Sequence, residues 1–373
     1  MNILHVINIS FVLRHFIGDQ FYYFSQKGYK LFVACSPSED LAEQANKYGF
    51  EYLATPVNRS ITPWQDIRTI HRLCRYIRAN HIDVVEGHSP KGALLGMLAA
   101  WLCRVPKRIY FRHGLVYETT HGFKRAMLKW IDRITSCCAT KVVCVSPSLM
   151  QQSLNDHLCP AAKQILLGNG TCGGIDTLTK YNPTHIDSTK LAAFRAKYQI
   201  AENDFVIGYT GRLVRDKGII ELIQALDLLP QEMHAKLLLA GMFEERDALP
   251  AEIQDRICHD PRIVFAGLID TEMEYIYALM DVYVLASYRE GFPIGVLEAQ
   301  AMQIPVLTTK ETGCIDSIID GKTGLYITHE PANIAQQLVK VRTYPKMGQN
   351  GRKWVTAHFD NRIIWKYIEE LYH

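Results

Sequence analysis

The sequence predicts an α/β protein of two parallel-sheet domains, and three observations carry the prediction. Short apolar runs alternate with helical patterns in both halves of the chain, and strands separated by helices form parallel sheets. A glycine-dense stretch beginning at Gly168 lies at mid-chain, a natural place for a domain junction. The length, 373 residues, is long for one hydrophobic core and comfortable for two domains of ordinary size.

In the first half the strand candidates are Ile3 to Ile7, Leu31 to Cys35, Asp83 to Glu86, Arg108 to Phe111 and Lys141 to Val145. The second half repeats the pattern with Phe205 to Thr210, Lys236 to Ala240, Ile263 to Ala266, Val282 to Ala286 and Val306 to Thr309. Between them runs Gly168-Asn169-Gly170-Thr171-Cys172-Gly173-Gly174-Ile175-Asp176, followed by polar residues Thr177 to Thr189. The expected limits are a first domain over 1–175, a linker over 176–200, a second domain over 201–350 and a terminal helical segment over 351–373. Within that last segment Ile363, Ile364, Trp365, Tyr367 and Ile368 recur at helical spacing.

Composition narrows the function classes. With 48% hydrophobic and 21% charged residues the chain is a folded protein and not a disordered one. The longest apolar stretch, Gly92 to Cys103, is too short to span a bilayer, and Met1 to Ile7 has no basic leader, so a cytoplasmic location is expected. Ten cysteines without C-x-x-C spacing fit reduced, mostly buried thiols, and no Cys/His group has the spacing of metal ligands. The net charge of +3 hides an asymmetry: residues 1–195 hold 23 Lys+Arg against 13 Asp+Glu, or +10, and residues 196–373 hold 18 against 25, or −7. Much of the excess lies between Arg104 and Arg133, where Lys107, Arg108, Arg112, Lys124, Arg125 and Lys129 interleave with Tyr110, Phe111, Phe123 and Trp130. No nucleic-acid-binding signature accompanies this segment, so an anionic membrane is the expected partner and nucleic acid is not.

Two motifs in the second half carry the chemistry. The strand Phe205 to Thr210 leads into Gly211-Arg212-Leu213-Val214-Arg215-Asp216-Lys217-Gly218 and then a helical run from Ile219 to Leu229. A strand, a glycine turn and a helix start build a phosphate-facing site, in which Arg212 offers a planar fork for diphosphate oxygens and Lys217 a mobile point charge. Further on, Glu290-Gly291-Phe292-Pro293-Ile294-Gly295-Val296-Leu297-Glu298 sets a loop-borne and a helix-borne carboxylate around a helix that begins near Pro293 or Ile294. Unpaired amides at that helix start favour a phosphate, and two acceptor carboxylates can hold the hydroxyls of a ribose and a hexose. No Asp-x-Asp is present to hold a divalent ion against a diphosphate, so no metal or other cofactor is expected.

Together these residues resemble the donor-binding half of glycosyltransferase family 4. The resemblance implies the GT-B fold, two facing Rossmann-like domains with a C-terminal helix crossing back to the first. It implies that Gly211, Arg212 and Lys217 bind the donor diphosphate, and that Glu290, Gly291, Phe292, Pro293, Ile294 and Glu298 line the rest of the donor site. In the first half, Glu86-Gly87-His88-Ser89-Pro90-Lys91-Gly92 ends a strand, and His88 matches the family's histidine beside the donor sugar. His-Ser-Pro-Lys-Gly resembles a subgroup that builds bacterial surface polysaccharides. Ser89, Lys91, Arg112 and His113 are acceptor-side candidates, with Arg59 a weaker one. The chain departs from many members after its first strand, where Ser10 to Gly18 holds one glycine instead of a Gly-Gly pair, so close backbone approach to a phosphate is not expected there.

The implied activity is retaining, metal-independent transfer of a hexosyl group from a nucleoside-diphosphate sugar to an acceptor hydroxyl. His88, Glu290, Arg212 and Lys217 would serve catalysis, and the acceptor would be a polyprenyl-diphosphate-linked glycan at the inner face of the cell membrane. A non-hydrolysing sugar-nucleotide epimerase, which shares the architecture, stays open, as does a non-catalytic sugar-nucleotide-binding subunit. Product analysis separates the first, and binding without turnover the second.

Overall fold

The computed structural model describes every residue except 12, 14–16 and 59–61. Arg59 and much of the loop after the first strand therefore lie outside the described residues. The chain divides into two compact units, Met1–Gly173 with Ile364–His373, and Gly174–Ile363.

The first unit holds a seven-stranded parallel sheet: β1 (Asn2–Val6), β2 (Lys30–Cys35), β3 (Glu51–Ala54), β4 (Val84–His88), β5 (Lys107–Arg112), β6 (Lys141–Cys144) and β7 (Gln164–Leu166), in the order β3-β2-β1-β4-β5-β6-β7. The order reverses between β1 and β4, the switch point at which open parallel sheets bind ligands. Central strands are buried on both faces, and the apolar runs within them are what the sequence reveals, with His5, Glu86 and His88 as buried polar exceptions. The edge strand β3 is mostly exposed and β7 is three residues long, so neither leaves an apolar signature, and both are additions to the sequence reading.

Gly87 shows how the sequence shapes this sheet. A Cβ there would lie 2.7 Å from Cα of Ala93, so glycine lets the helix Pro90–Leu102 close onto one face of β4. Glu86 and His88, two residues apart, turn to the opposite face together.

The second unit contains β8 (Phe205–Thr210), β9 (Ala235–Ala240), β10 (Ile263–Gly267), β11 (Val282–Leu285), β12 (Val306–Thr308) and β13 (Gly324–Tyr326), all parallel in the order β10-β9-β8-β11-β12-β13. Its switch point falls between β8 and β11. β13 is a third short strand that the sequence reading omits; it opens on glycine and lies at the sheet edge.

The expected linker and terminal segment both need revision. Residues 176–200 include the helix Ser188–Lys197 and form part of the second unit. Residues 351–373 divide into the end of the helix Met347–His358 and the helix Asn361–Glu370. The break has a backbone cause: Ile175 donates to the Phe359 carbonyl at 2.8 Å and accepts from the Asn361 amide at 3.0 Å, pulling the chain out of helical register. Beyond it Ile364, Ile368 and Tyr372 enter the core of the first unit with Phe21, Phe24 and Val84, the return that the fold requires. No helix among the described residues is long and apolar enough to cross a membrane.

Candidate active site

In the second unit both predicted motifs lie at the β8/β11 switch point. The loop after β8 turns through Arg215–Lys217 and Gly218 into the helix Ile219–Asp227. Gly218 is required there: its φ is +70°, and a Cβ would lie 2.1 Å from the Ala286 carbonyl oxygen at the end of β11. The turn therefore packs directly on the loop that carries Glu290.

Four polar contacts tie these loops together. Lys217 Nζ donates to Glu290 Oε1 at 2.7 Å, Arg289 to Asp216 at 3.1 Å, and the Tyr288 amide and Ser287 hydroxyl to the Asp216 carbonyl at 2.9 and 3.1 Å. Asp216 and Arg289, which the sequence reading passes over, thus fix the spacing of the residues it selects. Arg212 lies on the same loop as Lys217, with its guanidinium turned to Glu244 at 2.9 Å.

The helix after Glu290 runs Ile294–Ala301 with Pro293 as its N-cap, and Gly291 leads into it. Phe292 is buried against Phe359, 5.3 Å between ring centroids, so its side chain anchors the loop. Glu298 projects from this helix and accepts from the Tyr277 hydroxyl at 2.6 Å; burial pushes its carboxyl above the usual range, against the pull of the Tyr277 and Tyr181 hydroxyls. Neither tyrosine carries a sequence signal, since only the fold brings them to Glu298.

In the first unit, His88 ends β4 at the β1/β4 switch point, 3% exposed. Register places His5 beside Glu86, and a continuous series of contacts follows. His5 Nδ1 lies 3.3 Å from His88 Nε2, His88 Nδ1 lies 3.1 Å from His113 Nε2, and His113 Nδ1 lies 3.4 Å from Cys172 Sγ. Phe111 stacks on the His88 ring at 4.8 Å. Burial pushes His88 below its usual range despite Glu86, and pushes His113 down to about 3, helped by the neighbouring His88 charge. Burial would raise Glu86, but the adjoining His5 and His88 hold it well below the usual carboxylate range.

Among the described residues, His5, Glu86 and His88 bring three potential metal ligands together, where spacing along the chain suggests none. The rings face each other, however. Their planes differ by 12° and their centroids lie 5.6 Å apart, so the two nitrogens sit on the line between ring centres instead of converging on a third point. That is the geometry of a ring-to-ring hydrogen bond.

Three acceptor-side candidates have other partners. Arg112 is fully buried and donates to Asp132, Ser136 and Ser153, a structural role that the basic-surface reading does not foresee. Lys91 is paired with Asp66, and Ser89 caps the helix Pro90–Leu102 by accepting from the Gly92 amide at 3.4 Å. Of this group, His113 is the one whose side chain meets the His88 ring among the described residues. The basic segment is likewise split. Tyr110, Phe111 and Arg112 belong to the interior, whereas Phe123 and Trp130 are 84% and 61% exposed on the helix Gly122–Cys138.

Two sequence profiles match the chain: "Glycosyl transferases group 1" over residues 192–354 and "Glycosyl transferase 4-like domain" over residues 19–170. The capsular polysaccharide biosynthesis glycosyltransferase CapM of Staphylococcus aureus is 30% identical over 99% of this chain and 96% of its own. The chain belongs to the group 1 glycosyltransferases. Another relative of this glycosyltransferase is the UDP-Gal:alpha-D-GlcNAc-diphosphoundecaprenol alpha-1,3-galactosyltransferase of Escherichia coli, 23% identical over 75% of this chain and 71% of its own. Among solved structures, Anabaena Alr3699/HepE in complex with UDP-glucose superposes with a TM-score of 0.81 at 18% identity, covering 99% of this chain and 98% of the other, which identifies the fold as GT-B. Family membership removes the epimerase alternative.

Proposed function

We propose that this glycosyltransferase transfers a hexosyl group, with retention and without a metal ion, from a nucleoside-diphosphate sugar to a hydroxyl of a lipid-linked oligosaccharide in surface-polysaccharide assembly. The observation that carries the reading is the meeting of Lys217, Glu290 and the start of the helix Ile294–Ala301 at one switch point. As the sugar–phosphate bond stretches, negative charge grows on the diphosphate. Lys217, Arg212 and the amides after Gly291 can stabilise it without reorganising a solvent shell. Both cations are paired with carboxylates, Lys217 with Glu290 and Arg212 with Glu244, which a diphosphate would replace. Glu298, held by Tyr277, is suited to accept from ribose hydroxyls, and Glu290, once released by Lys217, from those of the hexose. Contact of His88 with the transferred sugar rests on the family resemblance. The names of the Staphylococcus and Escherichia relatives support the polysaccharide setting and the diphosphoundecaprenol-type acceptor.

A panel of nucleoside-diphosphate sugars tests the reading. One of them is expected to raise the melting temperature and then to pass its hexose to a polyprenyl-diphosphate glycan, with undiminished rate in EDTA. Stabilisation by none, or donor hydrolysis without transfer to any lipid-linked glycan, would remove the assignment.

Peripheral binding at the inner face of the cell membrane belongs to the same proposal, on the exposed Phe123 and Trp130 with Lys124 and Arg133 on one helix. Sedimentation with anionic liposomes is expected to be salt-sensitive, and Phe123→Ala with Trp130→Ala to weaken it about tenfold or more. Equal partition to neutral and anionic vesicles would exclude this surface.

A further inference from the structure

Glu86 is the member of the first-unit constellation to which the transfer chemistry gives no task. It is fully buried on β4, and its Oε1 accepts from the Tyr372 hydroxyl at 2.6 Å. Its Oε2 has no aligned donor, although it lies 3.2 Å from His5 Nδ1 and 3.4 Å from His88 Nε2. A buried carboxylate oxygen left in this state is costly unless it stabilises a charge or proton beside it.

The proton it faces belongs to a linked series. The 3.3 Å contact between His5 and His88 is head-on, and that between His88 and His113 is nearly so, with centroids 5.4 Å apart for 3.1 Å between nitrogens. A neutral imidazole donates from one nitrogen and accepts at the other, so in such a series the proton on the first ring sets the tautomer of all the rest. Two orders satisfy the ring-to-ring bonds. They differ at His5, whose Nε2 is buried without a partner. A proton on His5 Nδ1 leaves an empty acceptor at Nε2 and puts the N–H beside Glu86. The reverse order buries an orphaned N–H at His5 Nε2, which costs more, and exchanges the N–H 3.2 Å from the carboxylate for the one on His88 Nε2 at 3.4 Å.

We propose that Glu86, steadied by Tyr372, is a positioning residue that holds the proton on His5 Nδ1 and thereby fixes His88 as the Nδ1–H tautomer. His88 then accepts at Nε2 and donates from Nδ1, the edge at which the half-buried His113 sits and at which a sugar hydroxyl would take its place. This deepens the reading of His88 as a sugar contact and rests on it. The carboxylate never touches substrate; it decides which edge of His88 can give a hydrogen bond in the transition state.

The test combines a spectrum that needs no donor with kinetics that do. In protein carrying 15N-histidine, long-range 1H–15N correlations, assigned by single-histidine variants, are expected to show His88 as one tautomer with a protonated Nδ1. In Glu86→Gln, whose amide can donate as well as accept, the two nitrogens are expected to average or exchange. For that variant kcat should fall about tenfold or more while the donor KM changes less than twofold, with partial recovery in Glu86→Asp. Tyr372→Phe, which keeps the charge and the ring, is expected to shift both readouts the same way by less, and it stands in if Glu86→Gln does not fold. A protonated Nε2 on His88 in the native protein, or tautomer and kcat both unchanged in the variants, would overturn the proposal. So would a changed tautomer with unchanged kcat. Donor-induced thermal stabilisation of the native protein, measured alongside, reports separately on the transferase reading.

Discussion

Lys217→Ala is expected to lower kcat/KM for the donor by about 10²–10³-fold, the usual cost of removing one preorganised group that faces developing negative charge. Lys217 leaves a turn that cannot shift, because Gly218 packs against the Ala286 carbonyl. Its side chain is only 12% exposed, with the ammonium paired to Glu290 at 2.7 Å. Loss of the cation removes a charge from the diphosphate position and also frees Glu290 from the geometry that Lys217 imposes. Glu290 is 18% exposed and can be solvated, so the fold should survive. Lys217→Arg is expected to recover little, since a planar fork does not replace a compact charge at a fixed point. Steady-state kinetics and calorimetric titration with the nucleoside diphosphate provide the measurement. Unchanged donor affinity together with unchanged turnover in Lys217→Ala would end the donor-site assignment.

Arg112→Ala is expected to destabilise the first unit by about 3–5 kcal/mol, the range for removing one partner of a buried ion pair. The guanidinium is fully buried; Nη2 reaches Asp132 and Ser136, the latter at 2.7 Å, and Nη1 reaches Ser153 at 2.6 Å. Alanine would leave Asp132, 12% exposed, with a charge that water reaches poorly and that only the Tyr110 and Ser136 hydroxyls still bind, and would remove the donor from the Ser153 hydroxyl. One ammonium cannot span these three acceptors, so lysine should not restore the loss. Urea unfolding of the native and variant proteins, followed by a probe in the first unit, measures the difference. A change below about 1 kcal/mol would mean that the network contributes little beyond what solvent offers an exposed pair.

Arg112 also shows where sequence reasoning fails. A basic residue among lysines and aromatics reads as surface, because composition carries no information about which side of a strand a residue occupies relative to a helix packed on it. The exposed Phe123 and Trp130 come from the same segment and fit the surface reading. Lys91 and Ser89 make a related point: proximity to His88 along the chain says nothing of Asp66 or of the helix start that engage them.

What the sequence determined by itself was local. Apolar runs buried on both faces announce the central strands, glycine turns announce where strand gives way to helix, and the loop and helix positions of Glu290 and Glu298 follow from where Pro293 allows a helix to begin. Such signals lie within a few residues of one another, and the chain's own stereochemistry imposes them. Tertiary structure alone decided which distant side chains meet. It set Tyr277 on Glu298, Asp216 under the Glu290 loop, and Tyr372 on Glu86 beside three imidazoles. Those partners are brought together by strand register and by the return of the last helix into the first unit's core. The energy of burying a carboxylate depends on that assembled surrounding, not on its neighbours in the chain.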